Sequence, residues 1–351
     1  MVHLFDPPRP RAHFLSSPGL HLLPTAYTCH RSGYWSGTQQ AKESANASTS
    51  RCDGVRVRRT VGVVGAGRIG TPLIRRLVAA GHDVLATDVR AERRPAVEQA
   101  GARWSDDVPA GAEVVLTVLP GAPELRELVL GSGRLLERLT GGALWIDLTS
   151  ASPELGQECA RAAAEHGIAY LDAPIGGGVR AMERGEVTLY VGGPGVHVDA
   201  AAPLLASFAK AVRRTGASGT GYLTKLLINL LWFGQAALTT EALLLAQRHG
   251  VAPEAMRDIL LGSAGDSAFV QHHLPALLRG DYLADFGLDR CVEELDAVER
   301  NAGKANLPHP VMSAVTDLHR AALDHFGPVD GELLAAAWLE LQAGARLSED
   351  R

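Results

Sequence analysis

The run Thr60-Val61-Gly62-Val63-Val64-Gly65-Ala66-Gly67-Arg68-Ile69-Gly70 decides the fold. A short valine-rich segment reads as a β-strand, G-x-G-x-x-G follows at once, and a helix is expected over 71–80. Each glycine has its own task in such a turn. Gly65 allows the tight reversal, Gly67 lets backbone approach a pyrophosphate, and Gly70 lets the helix lie close on the strand. The helix start then offers unpaired N–H groups and the positive end of its dipole to phosphates. A bare G-x-G-x-x-G is a weak signal, but this one has a context. Gly81-His82 ends the helix, a second apolar run Val84-Leu85-Ala86-Thr87 follows, and Asp88 closes it. Asp88 falls near the ~20-residue offset at which an acid holds a ribose 2′-hydroxyl. Gly65, Gly67, Arg68, Ile69, Gly70 and Asp88 are therefore read as binding a dinucleotide, against the alternative of a glycine turn with no ligand.

Outward from this turn, strands are expected at 60–64, 83–88, 113–119, 143–147, 168–172, 187–191 and 211–215, with helices between most of them. One of these is 153–166, with Ser152 as N-cap and Pro153 in the first turn. Alternating strands and helices imply a Rossmann-type, doubly wound, mostly parallel sheet. The pattern changes after Gly216-Ala217-Ser218-Gly219-Thr220-Gly221. A proline-free helix is expected over 222–248, about 40 Å long and able to cross from one domain into another. Helices at 253–261, 269–278, 288–304, 308–325 and 330–345 complete an all-α C-terminal domain. The expected division is a cofactor domain over 57–217, a helical substrate and dimerisation domain over 218–346, and a tail at 347–351. Residues 1–56 are rich in Pro, Ser, Thr, His and Arg without periodicity and read as a disordered extension with no signal-peptide layout.

The bulk numbers exclude several classes. A chain of 351 residues is long enough for two domains. A net charge of −5 gives no sign of a nucleic-acid or membrane partner. The apolar stretch Leu226–Phe233 is interrupted by Asn229, short of the roughly 18 apolar residues a membrane span needs. Cys29, Cys52, Cys159 and Cys291 show neither metal-ligand spacing nor a disulfide framework, so no metal and a reducing, cytoplasmic setting are expected.

Four further segments carry chemistry. Leu119-Pro120 ends a strand at the carboxyl edge of the sheet, where open α/β sheets bind ligands. Asp147-Leu148-Thr149-Ser150 is a second such strand end. Asp172-Ala173-Pro174-Ile175-Gly176-Gly177-Gly178 exposes backbone N–H groups suited to an anion, though a flexible loop would read the same way. Lys225 and Asn229 are four apart and share one face of the long helix, in apolar surroundings. A partly desolvated lysine can exchange a proton near neutral pH. On spacing alone, a lysine snorkelling to solvent is the commoner outcome.

Taken in order, these motifs resemble the β-hydroxyacid dehydrogenase family, 3-hydroxyisobutyrate dehydrogenase-like and more distantly 6-phosphogluconate dehydrogenase-like. The resemblance covers roughly 57–346. Thr117–Pro120 is similar to the family's T-M-L-P, Asp147–Pro153 to D-x-S-T-x-x-P, Asp172–Gly178 to D-A-P-V-S-G-G, and Gly219–Asn229 to G-x-G-x-x-x-K-x-x-x-N. The resemblance implies hydride transfer between a nicotinamide cofactor and a small 3-hydroxy acid or its semialdehyde, in a homodimer or homotetramer. It implies Lys225 as general acid/base and Asn229 as substrate-binding. Gly176, Gly177 and Gly178 would hold the substrate carboxylate, and Leu119, Pro120 and Ser150 would line the nicotinamide side. Two positions depart from the pattern. Gly176 stands where the family usually has serine, and Glu293 replaces a lysine near the nicotinamide in the helix pattern Phe286–Leu295. Asp88 favours NAD as cofactor, while Arg90, Arg93 and Arg94 just beyond it would suit NADP. The alternatives are an imine or aldehyde reductase on the same scaffold, to which Lys225 is opposed, and a non-catalytic dinucleotide sensor. Asp266, His272 and His273 are expected at the surface or in the core.

Overall fold

The valine-rich run forms β1 (Thr60–Val64), the central strand of the sheet, in a computed structural model that describes residues 58–348. The extension read over 1–56 lies outside the described residues. The other strands are β2 (Asp83–Thr87), β3 (Arg103–Trp104), β4 (Val114–Thr117), β5 (Leu144–Asp147), β6 (Ala169–Asp172), β7 (Ile175–Gly176), β8 (Val187–Gly192) and β9 (Ala209–Gly216). Strands β3-β2-β1-β4-β5-β6 run parallel in that order. Then β8 joins antiparallel to β6 and to the short β7, and β9 pairs parallel with β8. The strand order reverses between β1 and β4, which is where open α/β sheets bind ligands.

Alternation along the strands sends side chains to two cores. Val61, Val63, Val114, Leu116 and Ile146 enter one. Val64, Val115 and Trp145 enter the other. Helices α1 (Gly70–Ala79), α2 (Arg94–Gln99), α3 (Ala122–Leu130), α4 (Leu135–Arg138), α5 (Pro153–Glu165), α6 (Gly178–Arg184) and α7 (Gly195–Leu205) connect the strands. The Ser152 hydroxyl caps α5 by accepting from the Leu155 amide.

Helix α8 (Thr220–Arg248) spans 29 residues, about 44 Å. Tyr222 in its first turn lies in the sheet's second core. Leu226, Leu230 and Phe233 pack against Cys291, Leu295 and Val298 of α12 (Leu288–Lys304). Farther along, Leu243 and Leu244 pack with Phe269, Leu274 and Leu333. The helical half also contains α9 (Pro253–Leu260), α10 (Ala268–His272), α11 (Leu274–Leu277), α13 (Pro310–Phe326) and α14 (Leu334–Ala343). Leu227, Leu231, Leu238 and Leu245 form an exposed apolar stripe along α8. By length and composition α8 could cross a membrane, which the interrupted apolar run did not suggest.

Most boundaries fall within two residues of expectation, and the exceptions have physical causes. The helix expected over 269–278 is split into α10 and α11 around His273, because Pro275 cannot donate to a continuing helix. The helix expected from residue 330 starts at Leu334. The chain before it is paired instead, with Leu288 donating to the Val329 carbonyl, Gly331 to Phe286 and Leu333 to Tyr282. Leu347, read as tail, is buried in the helical core, and its amide donates to Glu340 at 2.7 Å.

Candidate active site

The turn after β1 is shaped by sterics. Gly65 has φ +105°, and a Cβ there would lie 2.2 Å from the Val118 carbonyl oxygen. A Cβ on Gly70 would lie 2.0 Å from the Gly65 oxygen. Above Gly67, by contrast, a Cβ would meet only the Arg90 guanidinium, at 4.0 Å. The backbone at Gly67 is thus open to a bulky anion at the start of α1, so the residues fit a pyrophosphate. Asp88 accepts from the Ala66 amide at 2.8 Å and from the Arg90 amide at 3.0 Å, and its side chain is 7% exposed. The Arg90 guanidinium is also beside it, at 3.4 Å. Arg68 turns away from the glycine turn and crosses to the helical half. It donates to the Ala284 carbonyl at 3.1 Å and pairs with Asp330 at 3.3 Å.

Across the switch point, the β4 and β5 ends are tied together by a buried polar network. The Leu119 amide donates to the Thr149 hydroxyl at 3.1 Å, and that hydroxyl donates to Asp147 at 2.9 Å. Thr117 also donates to Asp147, and the Tyr222 hydroxyl reaches it at 2.5 Å, backed by Tyr170 at 2.9 Å. Desolvation outweighs these bonds and pushes the Asp147 carboxyl up to about 6. The network joins the Leu119-Pro120 and Ser150 loops to the first turn of α8. Asp172, at the end of β6, makes a second tie. Its carboxylate accepts from the Gly219 amide at 2.8 Å and the Tyr222 amide at 3.2 Å, at the N-terminus of α8. Burial pushes it to about 6 as well. The glycine run expected as a loop begins just beyond, but Gly176 is the last residue of β7 and pairs with Thr188, leaving Gly177 at φ +112° and Gly178 at φ +67° as the turn into α6.

One turn into α8, half-buried Lys225 donates from Nζ to Asn229 Oδ1 at 2.9 Å, and Asn229 Nδ2 donates to Glu294 Oε2 at 2.5 Å. Glu294 is 8% exposed, and its Oε1 has no hydrogen-bond partner among the described residues. Burial raises its pKa, opposed by the Lys225 charge and the Asn229 amide. Glu332 is a second carboxyl near Lys225. Burial pushes it to about 7 against the pull of Lys225, with Asp285 and Glu294 adding to the rise. The sequence reading missed Glu332 altogether, since it belongs to no motif. Glu294 was visible only as the neighbour of Glu293.

A cavity of about 250 Å³ adjoins this cluster, lined in part by Pro120, Ser150, Leu226, Phe286, Glu293 and Glu294. Glu293 is not left as a bare anion. Arg290, one turn earlier on α12, donates to it at 2.9 Å and to Glu124 of α3 at 2.8 Å. Arg290 thereby neutralises Glu293 and links α12 to α3. His273 takes a hydrogen bond from Trp232 at 3.2 Å, and Asp266 accepts from Gly262 and Gln271, so both serve the helical scaffold.

Comparison with known proteins identifies the fold and the family. Residues 60–216 match the model of the NAD binding domain of 6-phosphogluconate dehydrogenase. Residues 219–337 match the model described as NAD-binding of NADP-dependent 3-hydroxyisobutyrate dehydrogenase. The L-threonate dehydrogenase of Cupriavidus necator is 31% identical over 268 residues, 75% of this chain and 90% of that protein. The 3-hydroxyisobutyrate dehydrogenase of Pseudomonas aeruginosa is 33% identical over 208 residues, 58% of this chain and 70% of that one. In fold, the chain is similar to the Mycobacterium tuberculosis 3-hydroxyisobutyrate dehydrogenase solved with L-serine, with a TM-score of 0.73 at 23% identity, covering 80% of this chain and 99% of that one. With an open glycine turn at the switch point and a lysine–asparagine pair on the long helix, the chain belongs to the 3-hydroxyisobutyrate dehydrogenase-like β-hydroxyacid dehydrogenases, NAD(P)-dependent oxidoreductases acting on CH–OH.

Proposed function

We propose that this enzyme oxidises a small 3-hydroxy acid, or reduces its semialdehyde, with Lys225 as general acid/base. The observation that carries the reading is the chain Lys225–Asn229–Glu294 beside the cavity lined by Ser150 and Phe286. A bound nicotinamide supplies or accepts the hydride. In oxidation Lys225 takes the substrate hydroxyl proton, and in reduction it returns that proton to the nascent alkoxide. Asn229 aims the ammonium and shares in holding the substrate oxygen. Glu294 holds Asn229 in turn. The amides of Gly177 and Gly178 hold the substrate carboxylate beside Gly176, whose own amide is taken up by the β7–β8 ladder. Leu119, Pro120 and Ser150 flank the nicotinamide, and their fixed spacing accounts for much of the rate by positioning.

Gly65, Gly67, Ile69 and Gly70 would hold the pyrophosphate, with Arg68 fastening the cleft beside it. Asp88 accepts the ribose 2′-hydroxyl and repels a 2′-phosphate, so NAD is preferred over NADP. Replacing Asp88 by Ala is expected to move the ratio of NADPH to NADH efficiency by about tenfold towards NADPH, through loss of one charge-assisted contact. The cofactor domain is taken as 57–217 and the substrate domain as 218–346. The exposed Leu227, Leu231, Leu238 and Leu245 stripe supports a second copy of the chain packing on α8, in a cytoplasmic homodimer or homotetramer. Light scattering on Leu231→Glu should then report a smaller particle.

The deciding experiment is an NAD(P)H absorbance panel over 3-hydroxyisobutyrate, tartronate semialdehyde, glyoxylate, succinic semialdehyde and a cyclic imine. Turnover of a hydroxy acid or semialdehyde is expected. Turnover of the imine alone would transfer the scaffold to imine reduction, and NADH binding without any turnover would make it a sensor.

A further inference from the structure

Gly176 leaves a gap in chemistry but not in space. In β8, Val187, Leu189 and Val191 point into the sheet's first core, so Thr188 and Tyr190 point to the opposite face. Thr188 pairs with Gly176 across the β7–β8 ladder. A Cβ added at Gly176 would lie 3.0 Å from the Tyr190 ring and 3.1 Å from its hydroxyl oxygen. The phenol therefore occupies the space next to the missing side chain. The Tyr190 carbonyl also abuts the first turn of α8, where a Cβ on Gly221 would fall 2.3 Å from it. Gly221 is four residues before Lys225 and shares its helix face. Tyr190 thus stands between the glycine loop and the lysine helix.

Its hydroxyl is also the uncommitted one. The hydroxyls of Tyr170 and Tyr222 bond each other, and that of Tyr282 donates to Glu340. Among the described residues, the Tyr190 hydroxyl makes no such bond. A half-buried phenol usually pairs its O–H, and one left open beside the Gly177-Gly178 turn is available to a ligand.

We propose that Tyr190 is a specificity-determining residue whose hydroxyl donates to the substrate carboxylate, taking over from a side chain that Gly176 lacks. This rests on the reading of Gly176–Gly178 as the carboxylate loop. Gly176 and Tyr190 then form one unit: the glycine makes room, and the tyrosine supplies the donor from the neighbouring strand. A serine at 176 would push on the ring, so the two hydroxyls compete for one space.

The test compares Tyr190→Phe, Tyr190→Ala, the double variant Gly176→Ser with Tyr190→Ala, and Gly178→Ala. The probe is 3-hydroxyisobutyrate, or the best substrate of the panel above, with cofactor saturating and melting temperature recorded for each protein. Tyr190→Phe is expected to raise the substrate KM on the order of 10-fold, the loss of one hydrogen bond to a charged group, with kcat and the cofactor KM within about threefold. The double variant should recover much of the KM lost in Tyr190→Ala, because the hydroxyl returns from residue 176 into the space the ring vacated. An unchanged KM in Tyr190→Phe with a raised KM in Gly178→Ala would overturn the role of Tyr190 and leave the loop reading standing. An unchanged KM in both would overturn the loop reading as well.

Discussion

The phosphate turn after β1 and the wall formed by α8 and α12 work through different parts of the chain. The turn acts through backbone: Gly65 and Gly70 cannot carry a Cβ without striking the Val118 and Gly65 carbonyls, and Gly67 is open. The helical wall acts through side chains: Lys225, Asn229 and Glu294 are joined by hydrogen bonds of 2.9 and 2.5 Å. Backbone geometry leaves almost no freedom of residue type. A side-chain cluster can exchange members, provided charge and donors are balanced nearby. Glu293 illustrates the point, since Arg290 answers its charge from the preceding turn and Glu124 answers Arg290 from α3.

The contrast can be broken most directly at Lys225. Lys225→Ala should lower kcat by about 10²–10⁴-fold, the usual loss for a general acid/base, while the NADH dissociation constant stays within about twofold by fluorescence titration. If NADH binding fell together with kcat, the two walls would not be separable. At the turn the reverse is expected. Gly70→Ala puts a methyl into backbone, so calorimetric titration should show NADH binding weakened by about 100-fold or more, an effect of a few kcal/mol. Normal NADH affinity in that variant would remove the steric argument.

A third test concerns the tie between the walls. The Asp147 carboxyl sits at about 6, above its ordinary 3.8, so the folded protein holds this proton more tightly than the unfolded chain. The stability associated with it is full below about 4 and is lost as pH rises through 6, by about 3 kcal/mol. Asp147→Asn removes that titration. Denaturant unfolding between pH 4 and 7 should show wild type losing about 2 to 3 kcal/mol more stability over that range than the variant, and parallel pH profiles would contradict the buried ionisation. The smallest effect is expected at Arg290. Its side chain is 23% exposed and shared among carboxylates, so Arg290→Met should cost only about 1 kcal/mol, seen as a lower melting temperature. A substrate preference shifted towards cationic compounds would accompany it if Arg290 screens Glu293 within the cleft.

The parts of this site differ in how legible they were. The turn, Asp88 and the strand ends could be read directly, because a tight turn, a helix start and a strand end are local events governed by residues within a few positions. The Lys225–Asn229 pair was visible as helical spacing, but on that ground alone a snorkelling lysine was the commoner outcome. Glu332 could not be read, because it meets Lys225 only after the chain folds back through α12 and α13 and the 329–333 segment pairs with 282–288. Arg68 shows the same limit within the most legible motif. Its place in the glycine turn was plain, and its partner Asp330 lies 262 residues away.

By itself the sequence determined the class of sheet, the position of the phosphate turn, the length of the crossing helix and the family, since each follows from periodicity, sterics or ordered motifs within short windows. Only the tertiary structure decided that Arg290 pairs with Glu293 and Glu124, that Tyr222 locks the β4 and β5 loops to the lysine helix, and that Tyr190 fills the space beside Gly176. These are contacts between elements distant in the chain, and no local pattern encodes the direction in which a side chain crosses a cleft.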